Sequence, residues 1–134
     1  MGRVSRVHTG GLPEARAKLA KAVEFLAEAR DALAKERPNA ACSTAVTAAI
    51  NANDALCLAR LSKFSTASSH GEALDLARQC GRAGSQVATL LERVLKAKDK
   101  AQYDTASVRP AEAKQVVDRA ERIVGLVQEA MAGG

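Results

Sequence analysis

Between Glu14 and Glu36 the apolar residues Leu19, Ala22, Val23, Leu26, Ala29, Ala32 and Leu33 recur at intervals of three and four. Lys18, Lys21, Glu28, Asp31 and Lys35 occupy the other faces. That period predicts an amphipathic helix, with Pro13 suited to its first turn and Glu14–Lys18 and Asp31–Lys35 as i,i+4 ion pairs. Arg37-Pro38 breaks it, because the residue before a proline is pushed out of helical conformation. The next segment is patterned differently. ACSTAVTAAINANDALCLARL, residues 41–61, carries charge only at Asp54 and Arg60, and most of its side chains are small. A helix nearly uncharged all round belongs inside a bundle, and its alanines let neighbouring helices come close. Thr44, Thr47, Asn51 and Asp54 nevertheless fall at helical spacing and form one polar stripe. Buried polar groups need partners, so the stripe is expected to face a hydrogen-bonding neighbour, a second subunit or a water-filled cleft.

The central helix should fade near Lys63–Phe64, where FSTASS supplies residues that prefer turns and caps. Ser68 or Ser69 can cap a short third helix from His70 to about Cys80, Ser69 and Glu72 having the capping-box spacing. Gly81 and Gly84 predict the next break, and Ser85 can cap a fourth helix to about Ala101 with Val87, Leu90, Leu91, Val94 and Leu95 inside. After the loop QYDTASVR, Pro110 opens a fifth helix whose inner face holds Val116, Val117, Ala120, Ile123, Val124, Val127 and Met131. Gly125 within it costs about 1 kcal/mol relative to alanine, which marks a close contact. No β-type alternation is evident. The expectation is an all-α antiparallel four-helix bundle with one additional short helix, a single domain over residues 13–131. Residues 1–12 read as a mobile arm and 132–134 as a frayed end.

Composition sharpens this picture. Hydrophobic residues make up 47% of the chain but aromatic ones only 2%, so the core must be built from Ala, Leu and Val. A core that lean favours extra burial in a homodimer. The net charge of +5 permits nucleic-acid binding without requiring it. Cys42, Cys57 and Cys80 form neither a C-x-x-C nor a metal-ligand spacing, which predicts reduced thiols in a cytoplasmic protein with no metal and no cofactor. No stretch is long and apolar enough to span a bilayer. Of the two histidines, His8 lies in the arm. His70 opens the third helix after a hydroxyl-rich turn, as a general acid or base or as a packing residue. Asp54 needs a cation if the central helix is buried, and Lys98, Lys100 or a symmetry-related arginine would supply it. The basic end of the fourth helix, Lys96, Lys98 and Lys100, opposes the helix dipole and with Tyr103 and Asn51 forms the candidate surface for nucleic acid or a partner. Tyr103 would pack across a bundle end.

Three local features carry a resemblance: the alanine-rich second helix ACSTAVTAAINANDALCLARL, the hydroxyl–histidine turn FSTASSHGEALDLA leading into a short helix, and KAKDKAQYD followed by a helix opening with PAEA. In this order, over roughly Pro13 to Met131, they resemble the HEPN domain. The resemblance implies a helical homodimer, and members include metal-independent ribonucleases whose R-x4-6-H motifs meet at the subunit interface, many of them toxins neutralised by a nucleotidyltransferase-fold partner. This chain departs from that motif. Nine residues separate Arg60 from His70, and the six-residue spacing is met only from Lys63, a cation without the planar fork of arginine. Lys98 and Gln102 likewise stand where the family's R-x-x-A-D-Y element has Arg and Asp. The implied function is a homodimeric interaction module binding a nucleotidyltransferase-like partner, RNA, or both, without full nuclease activity. Two rivals remain. One is a ribonuclease in which His70 handles protons, Lys63 or Arg60 steadies the phosphate and Asp54 orients them; the other is a purely structural bundle.

Overall fold

A computed structural model of the chain describes residues 7–66 and 70–133, Gln102 and Tyr103 by backbone alone. In chain order it contains strand β1 (Val7–Thr9), helices α1 (Leu12–Ala34) and α2 (Pro38–Leu61), strand β2 (Lys63–Ser65), and helices α3 (Gly71–Arg78), α4 (Gly81–Tyr103) and α5 (Pro110–Ala132). The all-α fold expected from the hydrophobic pattern is the fold observed, with four long helices and a short one. Prolines sit in the first turns of α1, α2 and α5, where a missing N–H leaves no bond unmade. At the start of α1 the Glu14 carboxylate accepts the Gly11 N–H at 2.7 Å. At its end Glu36 adopts a left-handed φ of 59°. The N–H groups of Glu36 and Arg37 then turn back to the carbonyls of Leu33 and Ala32, which closes the helix with a Schellman turn just before Pro38.

Helix α2 occupies the middle. It packs on α1, α4 and α5, and touches α3 as well. Ala41, Ala45, Ala48, Ala49, Ala52 and Ala55 are fully buried along it. Because an alanine projects little beyond the backbone, the neighbouring helices can bring Leu91, Val116, Val117, Ile123 and Val127 into the same core. The polar stripe is resolved more locally than expected. Thr44 and Thr47 donate to the carbonyls of Ala40 and Ser43, and Asn51 to that of Thr47, so three of its four members satisfy their donors on their own helix.

Three expectations are corrected. The arm is not mobile throughout: Val7–Thr9 pairs antiparallel with Lys63–Ser65, His8 opposite Phe64, and Gly10 N–H continues the ladder to Ser62 O at 3.0 Å. Residues 1–6, with Arg3 and Arg6, lie outside the described residues. Ser62 makes the pairing possible by taking a left-handed φ of 59° at the end of α2, which turns the chain outward; a three-residue strand is too short to show alternation. Next, α4 starts at Gly81 rather than Ser85, and Gly84 lies inside it. A Cβ at Gly84 would overlap the Ala77 carbonyl and sit 2.6 Å from the Cys80 Cβ. This glycine is a point of contact between α3 and α4 rather than a break. At Gly125, by contrast, a Cβ would meet nothing within 4 Å, so no close contact exists there. Helix α3 begins after His70 without a side-chain cap; the proposed Ser68 and Ser69 caps lie outside the described residues.

Candidate functional site

The four catalytic candidates have different partners. Asp54, on α2, reaches Lys18 of α1, with Oδ2 3.3 Å from Nζ and its side chain 8% exposed. Lys98, Lys100 and a second copy's arginine were expected in that place, and Lys18 is the partner found. Burial outweighs the attraction of Lys18 and pushes the Asp54 carboxyl up to about 6. Lys18 also lies 4.5 Å above the Phe64 ring, and that ring packs on His8 with centroids 5.4 Å apart. Asp54 therefore belongs to a contact chain that ties the two-stranded ribbon to α1 and α2. Arg60 points elsewhere: its guanidinium donates to the Ala130 carbonyl near the end of α5 at 2.7 Å. Lys63 is half-buried in β2, its Cα opposite that of Thr9.

His70 lies just before α3 and contacts α4. Its Nε2 lies 3.2 Å from Lys98 Nζ. An ammonium can only donate, so the ring accepts at Nε2 and carries its proton at Nδ1. Burial and then the Lys98 charge hold the His70 pKa down, with Asp99 pulling weakly the other way. Lys98 in turn borders an open groove of about 390 Å³ between α2 and α4. Asn39, Ser43 and Thr47 supply its polar wall, and Val46, Ile50, Ala101 and Val108 its apolar one. Asn39 shapes its rim by accepting the Val108 N–H at 2.9 Å and donating to Ser107 Oγ at 3.4 Å.

The remaining binding candidates divide as follows. Lys96 is exposed and, among the described residues, makes no ion pair. Lys100 is exposed and lies 3.7 Å from Glu112. Asn51 is half-buried and bonded within α2. The Tyr103 side chain lies outside the described residues. Of the candidate catalytic and binding residues, only His70 and Lys98 are, among the described residues, in direct contact with each other.

Sequence reasoning missed Lys18, Asn39 and the thiol pair. Lys18 and Asn39 act across separate elements, so no local spacing announces them. The Cys57 thiol on α2 faces Asn53 Oδ1 at 4.0 Å, and that of Cys80, just before α4, donates to the Leu76 carbonyl at 3.4 Å. The interaction between the two thiols, with burial, raises the Cys57 pKa, and the same interaction lowers that of Cys80 against the opposing effect of burial. Burial, and then the charge of Glu112, raise the Cys42 thiol. Among the described residues no three His, Cys, Asp or Glu side chains are placed to hold a metal ion, and no helix is long and apolar enough to cross a membrane.

Compared with known families, residues 15–130 match the HEPN domain. No curated protein matches the chain.

Proposed function

The chain belongs to the HEPN domain family, and on that premise we propose that it is a homodimeric interaction module binding RNA, a nucleotidyltransferase-fold protein, or both, without full nuclease activity. The observation that carries this reading is the dispersal of the candidate catalytic groups. General acid–base chemistry needs its members within hydrogen-bond reach of one reacting group. Here Asp54 is held by Lys18, Arg60 by the Ala130 carbonyl and His70 by Lys98. The motif departures at Lys63, Lys98 and Gln102 agree with it. For the homodimer, support comes from Leu12 and Val23 of α1, which are 51% and 42% exposed and offer apolar area for a second copy to cover. For RNA, support comes from the net charge of +5 and from the cations of α4.

The test is incubation of the purified protein with single-stranded RNA in EDTA, read for both retention and cleavage, with the subunit count from light scattering. Binding or partner capture by an intact dimer, with uncut RNA, is the expected result. Cleavage that disappears in His70→Ala would overturn the reading in favour of a metal-independent ribonuclease. A monomer that binds neither RNA nor a nucleotidyltransferase-fold partner would leave only a structural bundle.

A further inference from the structure

We infer that the seam between α1 and α5 docks an acidic amphipathic helix of a partner protein, with apolar anchors on Leu12 and Leu19 and a carboxylate on Arg16. This surface is separate from the groove that Lys98 borders, and its use does not require RNA.

The seam is marked first by what α1 leaves uncovered. Among the described residues its exposed large apolar side chains are Leu12 and Val23. Eleven residues part them, about three helical turns, so both stand on one face of α1. Arg16 and Leu19 fall between them at steps of four and three. Gln128 and Ala132 of α5 join Leu12, Arg16 and Leu19 in lining an open groove of about 630 Å³, within the range that bound ligands occupy. Beyond the groove, Gly125 and Glu121 continue the same face of α5 by helical spacing. A Cβ at Gly125 would meet nothing within 4 Å, so the surface stays low there, and Glu121 closes the seam by pairing with Arg30 of α1. From Ala132 to Glu121 the distance is about 16 Å at 1.5 Å per residue, room for about three turns of an added helix. A helix seated in a groove uses anchors at i, i+3 or i+4 and i+7, the spacing that Leu12, Arg16, Leu19 and Val23 themselves have.

Charge selects the occupant. Arg16 is exposed and, among the described residues, makes no ion pair. Arg60 also lines the groove, and one of its Nη groups donates to the Ala130 carbonyl at 2.7 Å. That carbonyl belongs to the last turn of α5, where intrahelical donors run out. The bond offsets the negative end of the helix and holds the guanidinium in place, with further N–H groups to offer an acceptor. No carboxylate is among the residues lining the groove. A glutamate or aspartate next to an apolar anchor therefore meets a cation, one of the two already ordered, which lowers the cost of binding. A second copy laid symmetrically over the groove would instead bring the same arginines face to face, and a basic helix would meet the same repulsion.

The experiment is fluorescence-anisotropy titration of the full chain with a labelled peptide of about 15 residues, long enough for an isolated helix to be marginal. The peptide carries leucines at helical spacing and glutamates on the flanks; its control has lysine for every glutamate. The acidic peptide should bind, more weakly as salt rises, and the lysine peptide should not. Leu12→Ser should weaken the acidic peptide about tenfold through lost apolar burial. Arg16→Glu should weaken it about tenfold, an attraction replaced by a repulsion, and should confer binding of the lysine peptide. Both positions are exposed, and circular dichroism establishes that each variant is folded. If the two peptides bind alike, or Arg16→Glu changes neither affinity, charge does not choose the occupant and this docking site is overturned. If neither peptide binds, the docking site falls while the RNA and dimer readings keep their own tests. If Leu12→Ser turns a dimer into a monomer by light scattering and leaves peptide affinity unchanged, the seam belongs to a second copy and the acidic partner is wrong.

Discussion

Two glycines inside long helices make the sharpest test of the packing. At an exposed helix interior, Gly→Ala stabilises by about 1 kcal/mol, because alanine has less chain entropy to lose. Gly125 is half-buried, but a Cβ there meets nothing within 4 Å, so the same gain applies. At Gly84 the same substitution drives a methyl group into the Ala77 carbonyl and to 2.6 Å from the Cys80 Cβ. Backbone cannot rotate aside as a side chain can, so α3 and α4 must separate, an overpacking cost of about 3 kcal/mol at the upper end of its range. Net of the helix gain, Gly84→Ala should lose about 2 kcal/mol and Gly125→Ala should gain about 1 kcal/mol. Urea unfolding followed by circular dichroism measures both, and an unchanged m-value shows that the denatured state is not the source. A Gly84→Ala protein as stable as wild type would refute the close approach of α3 and α4. A loss at Gly125→Ala that varies with protein concentration would mean that this face is covered by a second copy.

Other outcomes follow from single contacts. Because the Asp54 carboxyl is raised to about 6 in the fold, protonating it favours the folded state. Its contribution is therefore complete below about pH 4 and is lost as pH rises through about 6. Asp54→Asn should abolish that slope, so wild type should gain stability relative to the variant between about pH 7 and pH 4; an opposite sign in thermal melts across that interval would refute the burial argument. Asn39→Ala removes both ties to the α4–α5 loop, at about 1 kcal/mol per bond, and should speed amide exchange at Val108 while leaving the core amides of α2 slow. Leu56→Ala, at a fully buried position of the central helix, should cost about 2–5 kcal/mol, measurable by the same urea unfolding; a loss under about 1 kcal/mol would mean that α2 is not the centre.

Helix periods and prolines made the bundle legible, because Pro13, Pro38 and Pro110 mark helix starts and the Leu and Val positions of α4 and α5 mark their inner faces. The burial of α2 was readable from what it lacks, which is charge. Glycines were harder. Gly81 and Gly84 look alike in sequence, yet one turns the chain at φ +73° and the other accommodates a neighbouring carbonyl, a difference that exists only once α3 and α4 meet. The β1–β2 ribbon was illegible because three residues give no period and its pairing joins positions far apart in the chain. At the site, His70 and Lys98 were both named from sequence, but not as a pair. Their contact depends on how α4 runs back past the start of α3, which no spacing encodes. Asp54 was rightly given a need for a cation; which cation was decided by the α1–α2 packing.

Placing the most connected helix second in the chain has a bearing on synthesis. The α1–α2 hairpin is complete before one of the walls of α2, helix α5, has been made. Until then the growing polypeptide carries an uncovered strip of alanine methyls, a surface of low stickiness compared with the leucines or phenylalanines a bulkier core would leave bare. A lean centre thus doubles as protection for an unfinished molecule.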